Sequence, residues 1–182
     1  MITVRDRQIE PLFTESQIAD EIRRLAGEIA AHHPVEKSGE ILVVAVLKGS
    51  FVFAADLIRA LHAVKLAPEV EFISLSSYGG GTEGGEVRVL RDVETDVAGR
   101  VVVMVDDILE SGRTLQFARD LLLSRGATAV ELAVLLDKSV KRKVGIEPDY
   151  VGFECPDHFV VGYGMDVGHA FRELPFVGRV VE

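Results

Sequence analysis

"VVVMVDDILESGRTL", residues 101–115, runs five apolar residues straight into paired acids, Asp106 and Asp107. A continuous β-branched run of this kind suits a strand buried on both faces, expected here over 101–106. Glu110, Ser111, Gly112, Arg113 and Thr114 then form a small-residue turn, and a helix is expected from Gly112 to Ser124. The acids alone repel an anion, whereas the turn suits one. A loop opening a helix offers unpaired amides and the positive end of the helix dipole, and two hydroxyls add donors. Asp106 and Asp107 can accept hydrogen bonds from a vicinal diol or help hold a divalent cation. A ribose 5-phosphate, with magnesium beside it, reconciles the two halves. Each half alone is ordinary, since a Ser-Gly-x-Thr turn is often a helix cap and an Asp pair often a solvated strand end. Nucleotide triphosphate hydrolysis is not supported, because no GxxxxGK[ST] loop occurs.

Working outward, residues 14–32 carry an apolar stripe of Ile18, Ile22, Leu25 and Ile29 at helical spacing. Thr14 and Gln17 are placed as a capping box at its start. "EILVVAVL" (40–47) predicts another buried strand, followed by a tight turn at Lys48, Gly49 and Ser50 and a helix over 51–63. "EVEFISLSS" (69–77) and "AVELAVLLD" (129–137) predict two more strands, and "YVGFEC" (150–155), "HFVVGYG" (158–164) and "FVGRVV" (176–181) three others. Five glycines within 79–85 argue against a stable element there. The stretch 77–100 is expected to form a glycine-rich lid, with "EVRVL" (86–90) as one arm of a hairpin. Strands alternating with helices imply a central, mostly parallel sheet flanked by helices, with ligands beyond the carboxyl ends of its strands.

The chain of 182 residues fits one domain, and its 48% hydrophobic and 27% charged residues suit a soluble globular protein. No apolar run approaches a bilayer span, and the charged start "MITVRDRQIEPLF" lacks the apolar segment of a secretory signal. With a single cysteine, Cys155, no internal disulfide can form, so a cytoplasmic setting is expected. A net charge of −9 argues against nonspecific nucleic-acid binding, while leaving room for a local anion site of backbone amides and a few arginines. His32, His33, His62, His158 and His169 show no metal-ligand spacing.

The stretch 101–115 resembles the phosphoribosyl-pyrophosphate-binding signature of the type I phosphoribosyltransferases. "LKGSFVFAADL" (47–57) is similar to the pyrophosphate loop of the hypoxanthine-guanine branch, and "SSYGGGTEGGEVRVL" (76–90) to its mobile lid. "LLDKS" (135–139) and "PDYVGFECPDHFVVGYGMD" (148–166) are similar to its purine-binding segments. The motifs occur in order from about residue 10 onward.

That resemblance implies an α/β fold whose N- and C-terminal segments form a small hood. It also implies transfer of phosphoribosyl from phosphoribosyl pyrophosphate to N9 of a 6-oxopurine, with release of pyrophosphate. Asp106 and Asp107 would bind the ribose hydroxyls, and Glu110 to Thr114 would hold the 5-phosphate. Lys48, Gly49 and Arg172 would hold pyrophosphate, with a cis peptide between Leu47 and Lys48. Lys138 would donate to the purine 6-oxygen, Phe159 would stack on the base, and the Val160 backbone would read its edge. Asp166 would contact magnesium directly or through water, with Asp106 and Asp107 as further candidates. Ser77 and Tyr78 would ride on the lid. The resemblance also implies a homodimer or homotetramer.

One position departs from the pattern. Glu110 stands where the family usually has Asp, the carboxylate assigned to the proton on purine N7. The extra methylene moves the carboxylate by roughly 1 Å, a misplacement that can cost on the order of 100-fold in rate.

Read alone, Lys138 is a solvated strand-end lysine, Phe159 a core aromatic and Arg172 a surface charge. "KSVKRKVG" (138–145) reads as a solvated loop or a subunit contact. Rival functions are a xanthine-preferring or other type I transferase, and a non-enzymatic sensor of phosphoribosyl pyrophosphate.

Overall fold

The computed structural model describes residues 1–5, 7–34, 39–78 and 86–181. Six strands form the main sheet: β3 (Ile41–Leu47), β4 (Glu69–Tyr78), β5 (Glu86–Arg91), β6 (Val101–Leu109), β7 (Ala129–Asp137) and β8 (Tyr150–Glu154). Their spatial order is β5-β4-β3-β6-β7-β8, all parallel except the antiparallel β4–β5 hairpin. β1 (Ile2–Val4) and β2 (Arg7–Phe13) join β9 (Val160–Val161) and β10 (Val177–Val181) in a second, four-stranded sheet. This is the hood expected of the two ends of the chain.

Alternation along β3 and β6 explains the layers. Ile41, Val43 and Ala45, with Val103 and Val105, pack against α1 (Glu15–His32) and α2 (Phe51–Ala63). Leu42, Val44 and Val46, with Val102 and Met104, pack beneath Leu115, Ala118 and Leu122 of α3 (Arg113–Ser124). Both faces are covered, as the unbroken apolar runs require. α1 starts where the sequence predicts, with the reciprocal Thr14–Gln17 capping box formed. Among the described residues no helix is long and apolar enough to cross a membrane.

Three expectations are corrected. The strand expected at 101–106 continues to Leu109, because Ile108 and Leu109 still pair with Leu136 and Asp137 of β7. The acids are therefore followed by one more turn of pleat before the loop. The strand expected at 158–164 shrinks to Val160–Val161, because Gly162, Tyr163 and Gly164 adopt φ values of +94°, +51° and +100°. The N-terminal hairpin β1–β2 was not foreseen as strands. Of the lid expected over 77–100, the β4–β5 pairing is present. Residues 79–85 and the side chains of Ser77 and Tyr78 lie outside the described residues.

A polar knot closes the rim of the sheet at the strand N-termini. The Tyr150 hydroxyl donates to Glu131 at 2.7 Å and meets His32 Nδ1 at 3.0 Å, while His33 Nε2 lies 2.8 Å from the same Glu131 carboxylate. Tyr150 is 2% exposed, and burial pushes its hydroxyl pKa far upward, which keeps it neutral as a donor. Tyr150→Phe should cost about 1–2 kcal/mol by leaving buried partners unmatched. A lower urea midpoint with an unchanged slope would register it.

Candidate functional site

Strand order reverses between β3 and β6: the chain leaves β3 toward β4 on one side and returns at β6 on the other. The loops beyond these two strand ends diverge and leave a crevice, the usual ligand position in such sheets. A cavity of about 410 Å³ lies there. Lys48, Gly49, Asp106, Asp107, Glu110, Ser111, Gly112, Thr114, Lys138, Phe159, Val160 and Asp166 all line it. These are most of the residues singled out from sequence, drawn from five separate segments. Leu75 and Met165 add apolar wall that sequence reading missed; only their places near strand ends could have signalled them.

The turn after β3 is pressed against the acids of β6. The Leu47–Lys48 peptide is cis, as the resemblance implies. A Cβ added at Gly49 would fall 1.9 Å from Asp107 Oδ2, so only glycine fits beside that carboxylate. One added at Gly164 would fall 2.2 Å from the Gly49 carbonyl oxygen. Ser50, fully buried, donates its hydroxyl to the Val46 carbonyl and ties the turn to its strand.

Asp106 and Asp107 sit half-buried at the floor. Burial pushes the Asp106 carboxyl well above the ordinary carboxylate range, and the neighbouring Asp107 charge adds to the rise. Burial raises Asp107 too, opposed by the Asp106 side chain and the more distant Arg172 cation. Among the described residues, no three His, Cys, Asp or Glu side chains converge as a dedicated metal cage.

The anion half of the site is the loop entering α3. Gly112, at φ +81°, is the N-cap of α3, and a Cβ there would come within 2.5 Å of Ile146 and 2.9 Å of Val144. Gly112 brings no side chain to cap α3, and the Arg113 N–H reaches Ser111 Oγ at 3.5 Å, so the first-turn amides beyond it point their donors toward a ligand. Arg113 begins the helix half-buried and does not line the cavity.

Lys138 is not the solvated strand-end lysine that its sequence context alone suggests. It is 2% exposed, and its ammonium donates to Glu110 Oε1 at 2.6 Å and to the His158 carbonyl at 2.8 Å. An ammonium has three donors, so one remains for a ligand. Phe159 is no core aromatic either, for its ring is 61% exposed above the cavity. Arg172 stands outside that lining; it pairs with Asp166 Oδ1 at 2.6 Å, while Asp166 Oδ2 accepts from the His169 N–H at 2.7 Å. Cys155 is buried, and burial raises its thiol pKa, as suits a structural residue.

The phosphoribosyl transferase domain family model matches residues 9–167. The hypoxanthine-guanine phosphoribosyltransferase of Aquifex aeolicus is 40% identical over 99% of both chains. A crystal structure of a hypoxanthine-guanine phosphoribosyltransferase from Bacillus anthracis is 41% identical, covers 96% of this chain and 99% of its own, and superposes with a TM-score of 0.86. A structure of Trypanosoma cruzi hypoxanthine phosphoribosyl transferase, 34% identical, covers 99% of this chain and 95% of its own at a TM-score of 0.91. The chain also matches the bifunctional TilS/HprT protein of Listeria innocua at 42% identity, spanning only 25% of that longer protein. With the motifs, the switch-point crevice and these relatives in agreement, the chain belongs to the phosphoribosyltransferase family, in its hypoxanthine-guanine branch.

Proposed function

We propose that the chain works in purine salvage, moving phosphoribosyl from phosphoribosyl pyrophosphate to N9 of hypoxanthine or guanine and releasing pyrophosphate. The observation that carries this is the meeting, in one crevice, of an acid pair, a helix start with Gly112 at its N-cap and a buried lysine beside an exposed phenylalanine. A 6-oxopurine between Phe159 and Lys138 covers the ring and takes the third ammonium donor with its carbonyl oxygen. Adenine presents an amino group there instead, setting donor against donor. The Val160 backbone lies at the base edge. Contacts to the purine 2-position are left to backbone groups, so a xanthine preference is the second reading.

Asp106 and Asp107 take the ribose hydroxyls, and the 110–114 loop takes the 5-phosphate through its amides and the Ser111 and Thr114 hydroxyls, with Gly112 and Arg113 shaping the helix start. Lys48, Gly49 and Arg172 hold the pyrophosphate. Breaking the C1 bond places positive charge on the ribose, near the acids, and negative charge on the leaving group, near the cations. Ser77 and Tyr78 belong to the lid proposed to exclude water from the activated sugar.

The residues fit magnesium carried in with its substrate. That ion is commonly held by one or two carboxylates plus substrate oxygens rather than by a protein cage, and the raised Asp106–Asp107 pair offers such a seat. Bound there, magnesium would offset charge on the departing pyrophosphate. Asp166, both of whose oxygens are engaged by Arg172 and the His169 N–H, suits contact through water.

Glu110 is the acid–base residue for purine N7. Its carboxylate is 43% exposed and anchored at Oε1 by Lys138, which holds the longer side chain in a defined place. We take the chain to be one domain acting in the cytoplasm as a homodimer or homotetramer, with neither nucleic acid nor membrane as partner. An apolar groove of Ile18, Ile22, Val52, Leu174 and Pro175, beside exposed Phe51, is the face available to a second copy.

Pyrophosphate release with hypoxanthine, guanine, xanthine and adenine supplied separately tests the reading. Turnover with hypoxanthine or guanine and none with adenine is expected; tight phosphoribosyl pyrophosphate binding without turnover on any base would leave a sensor. Glu110→Gln should lower kcat by roughly 100-fold or more, the usual worth of a positioned acid–base group, with little change in KM for phosphoribosyl pyrophosphate.

Asp106→Asn should abolish turnover yet stabilise the free protein. A carboxyl raised on folding costs stability above its folded pKa and nothing below its unfolded one. The variant should therefore melt about 2–4 °C higher at pH 7, for a gain of about 1 kcal/mol. The difference should vanish as pH falls to the ordinary carboxylate range. Scanning calorimetry across pH, without metal or substrate, reads both.

A further inference from the structure

The segment leaving β7 makes three hydrogen bonds to the loop leaving β6. The Lys138 N–H donates to the Leu109 carbonyl at 3.0 Å, Arg142 Nη1 to the Glu110 carbonyl at 2.9 Å, and the Lys143 N–H to the Ser111 carbonyl at 2.9 Å. Three successive carbonyls of the loop are thereby held toward one segment. Across a trans peptide the following N–H points opposite to the carbonyl. The amides of Glu110, Ser111 and Gly112 are thus turned away from that segment, and these same three residues line the cavity.

Two of the three bonds come from main chain, which any non-proline residue supplies. The middle one depends on a side chain. Arg142 is 10% exposed and is held by the Asp137 carboxylate, itself 13% exposed, at the end of β7. Its Nε is one of two buried side-chain polar atoms without a hydrogen-bond partner among the described residues. An arginine buried at that cost for bulk stability alone is a poor bargain, since a well-packed apolar group does as well. Glu110 is meanwhile fixed at both ends: its carbonyl by Arg142, its carboxylate by Lys138. The basic run 138–145 is thus solvated along most of its length, at Ser139, Val140, Lys141, Lys143 and Gly145, while two of its cations, Lys138 and Arg142, turn inward onto one residue.

We propose that Arg142 is a positioning residue, which fixes the Glu110–Ser111 peptide plane so that its amide faces the 5-phosphate. This rests on the function proposed above. A purely structural ion pair would weaken every ligand alike, whereas a positioning role acts through the phosphate.

The test compares inosine 5′-monophosphate with inosine, which lacks only the phosphate, by calorimetric titration of the wild-type chain and Arg142→Met. Monophosphate affinity should fall roughly 10- to 100-fold, the worth of one charge-assisted hydrogen bond, while inosine affinity stays within about twofold. KM should rise for phosphoribosyl pyrophosphate and not for hypoxanthine, and Arg142→Lys should recover part of the loss. Equal loss for both ligands, or loss for neither, overturns the inference alone. A wild-type chain that fails to bind the monophosphate overturns the proposed function, and this inference with it. Should Arg142→Met not fold, Asp137→Asn, which frees the guanidinium from its anchor, carries the same expected split.

Discussion

Two adjacent parallel strands, β3 and β6, hold everything else in register. Their pairing from Ile41↔Val101 to Ala45↔Val105 is buried on both faces, so a slip by one residue would turn every apolar side chain to the wrong layer. Because register is fixed, so is the height at which each strand ends. The turn after Leu47 and the acids at 106 and 107 are brought level, close enough that Gly49 touches Asp107 with no room for a Cβ. The site is the place where a rigid apolar core stops and the chain must provide polar groups for itself.

Those groups follow a consistent division. Three cations around the crevice are held in ion pairs, Lys138 with Glu110, Arg172 with Asp166 and Arg142 with Asp137, while Lys48 also lines it. Burial lifts both carboxyls of the Asp106–Asp107 pair, with the Asp107 charge adding to the rise of Asp106. The free protein therefore carries its electrostatic strain at the Asp106–Asp107 pair and little of it around Lys138. Each ion pair also orients a group that a ligand needs, which is how side chains with three or four rotatable bonds are kept from wandering.

Much of this was legible in the residues, and what was not has a physical reason. β3, β6 and β7 announce themselves because apolar runs have few ways to be buried, and the Thr14–Gln17 box marks the start of α1 locally. The acid pair and the Ser111–Thr114 turn are contiguous, so their joint chemistry is readable. The end of β6 was misjudged because acids look like a strand terminus, while the pairing of Ile108 and Leu109 with β7 carries the ladder past them. The hairpin β1–β2 was missed because its partner, β10, lies more than 160 residues away, at Val177↔Phe13 and beyond. The inward turn of Arg142 was invisible for the same reason, since a run of lysines and arginines looks solvated until the fold supplies a carboxylate and a carbonyl.

The two rims of the main sheet differ in a way that bears on engineering. At the strand N-termini, Tyr150, Glu131, His32 and His33 satisfy one another, Asp149 accepts from the Leu132 amide, and Arg100 spans Glu69 and the carbonyls of residues 39–41. At the opposite rim, polar groups are left waiting. Durability and chemistry are thus housed about a strand's length apart, roughly 17–20 Å, with a stiff core between. Directed evolution for heat resistance has an open field at the first rim and little at the second, so hardening this protein and retuning its chemistry can proceed as nearly separate campaigns.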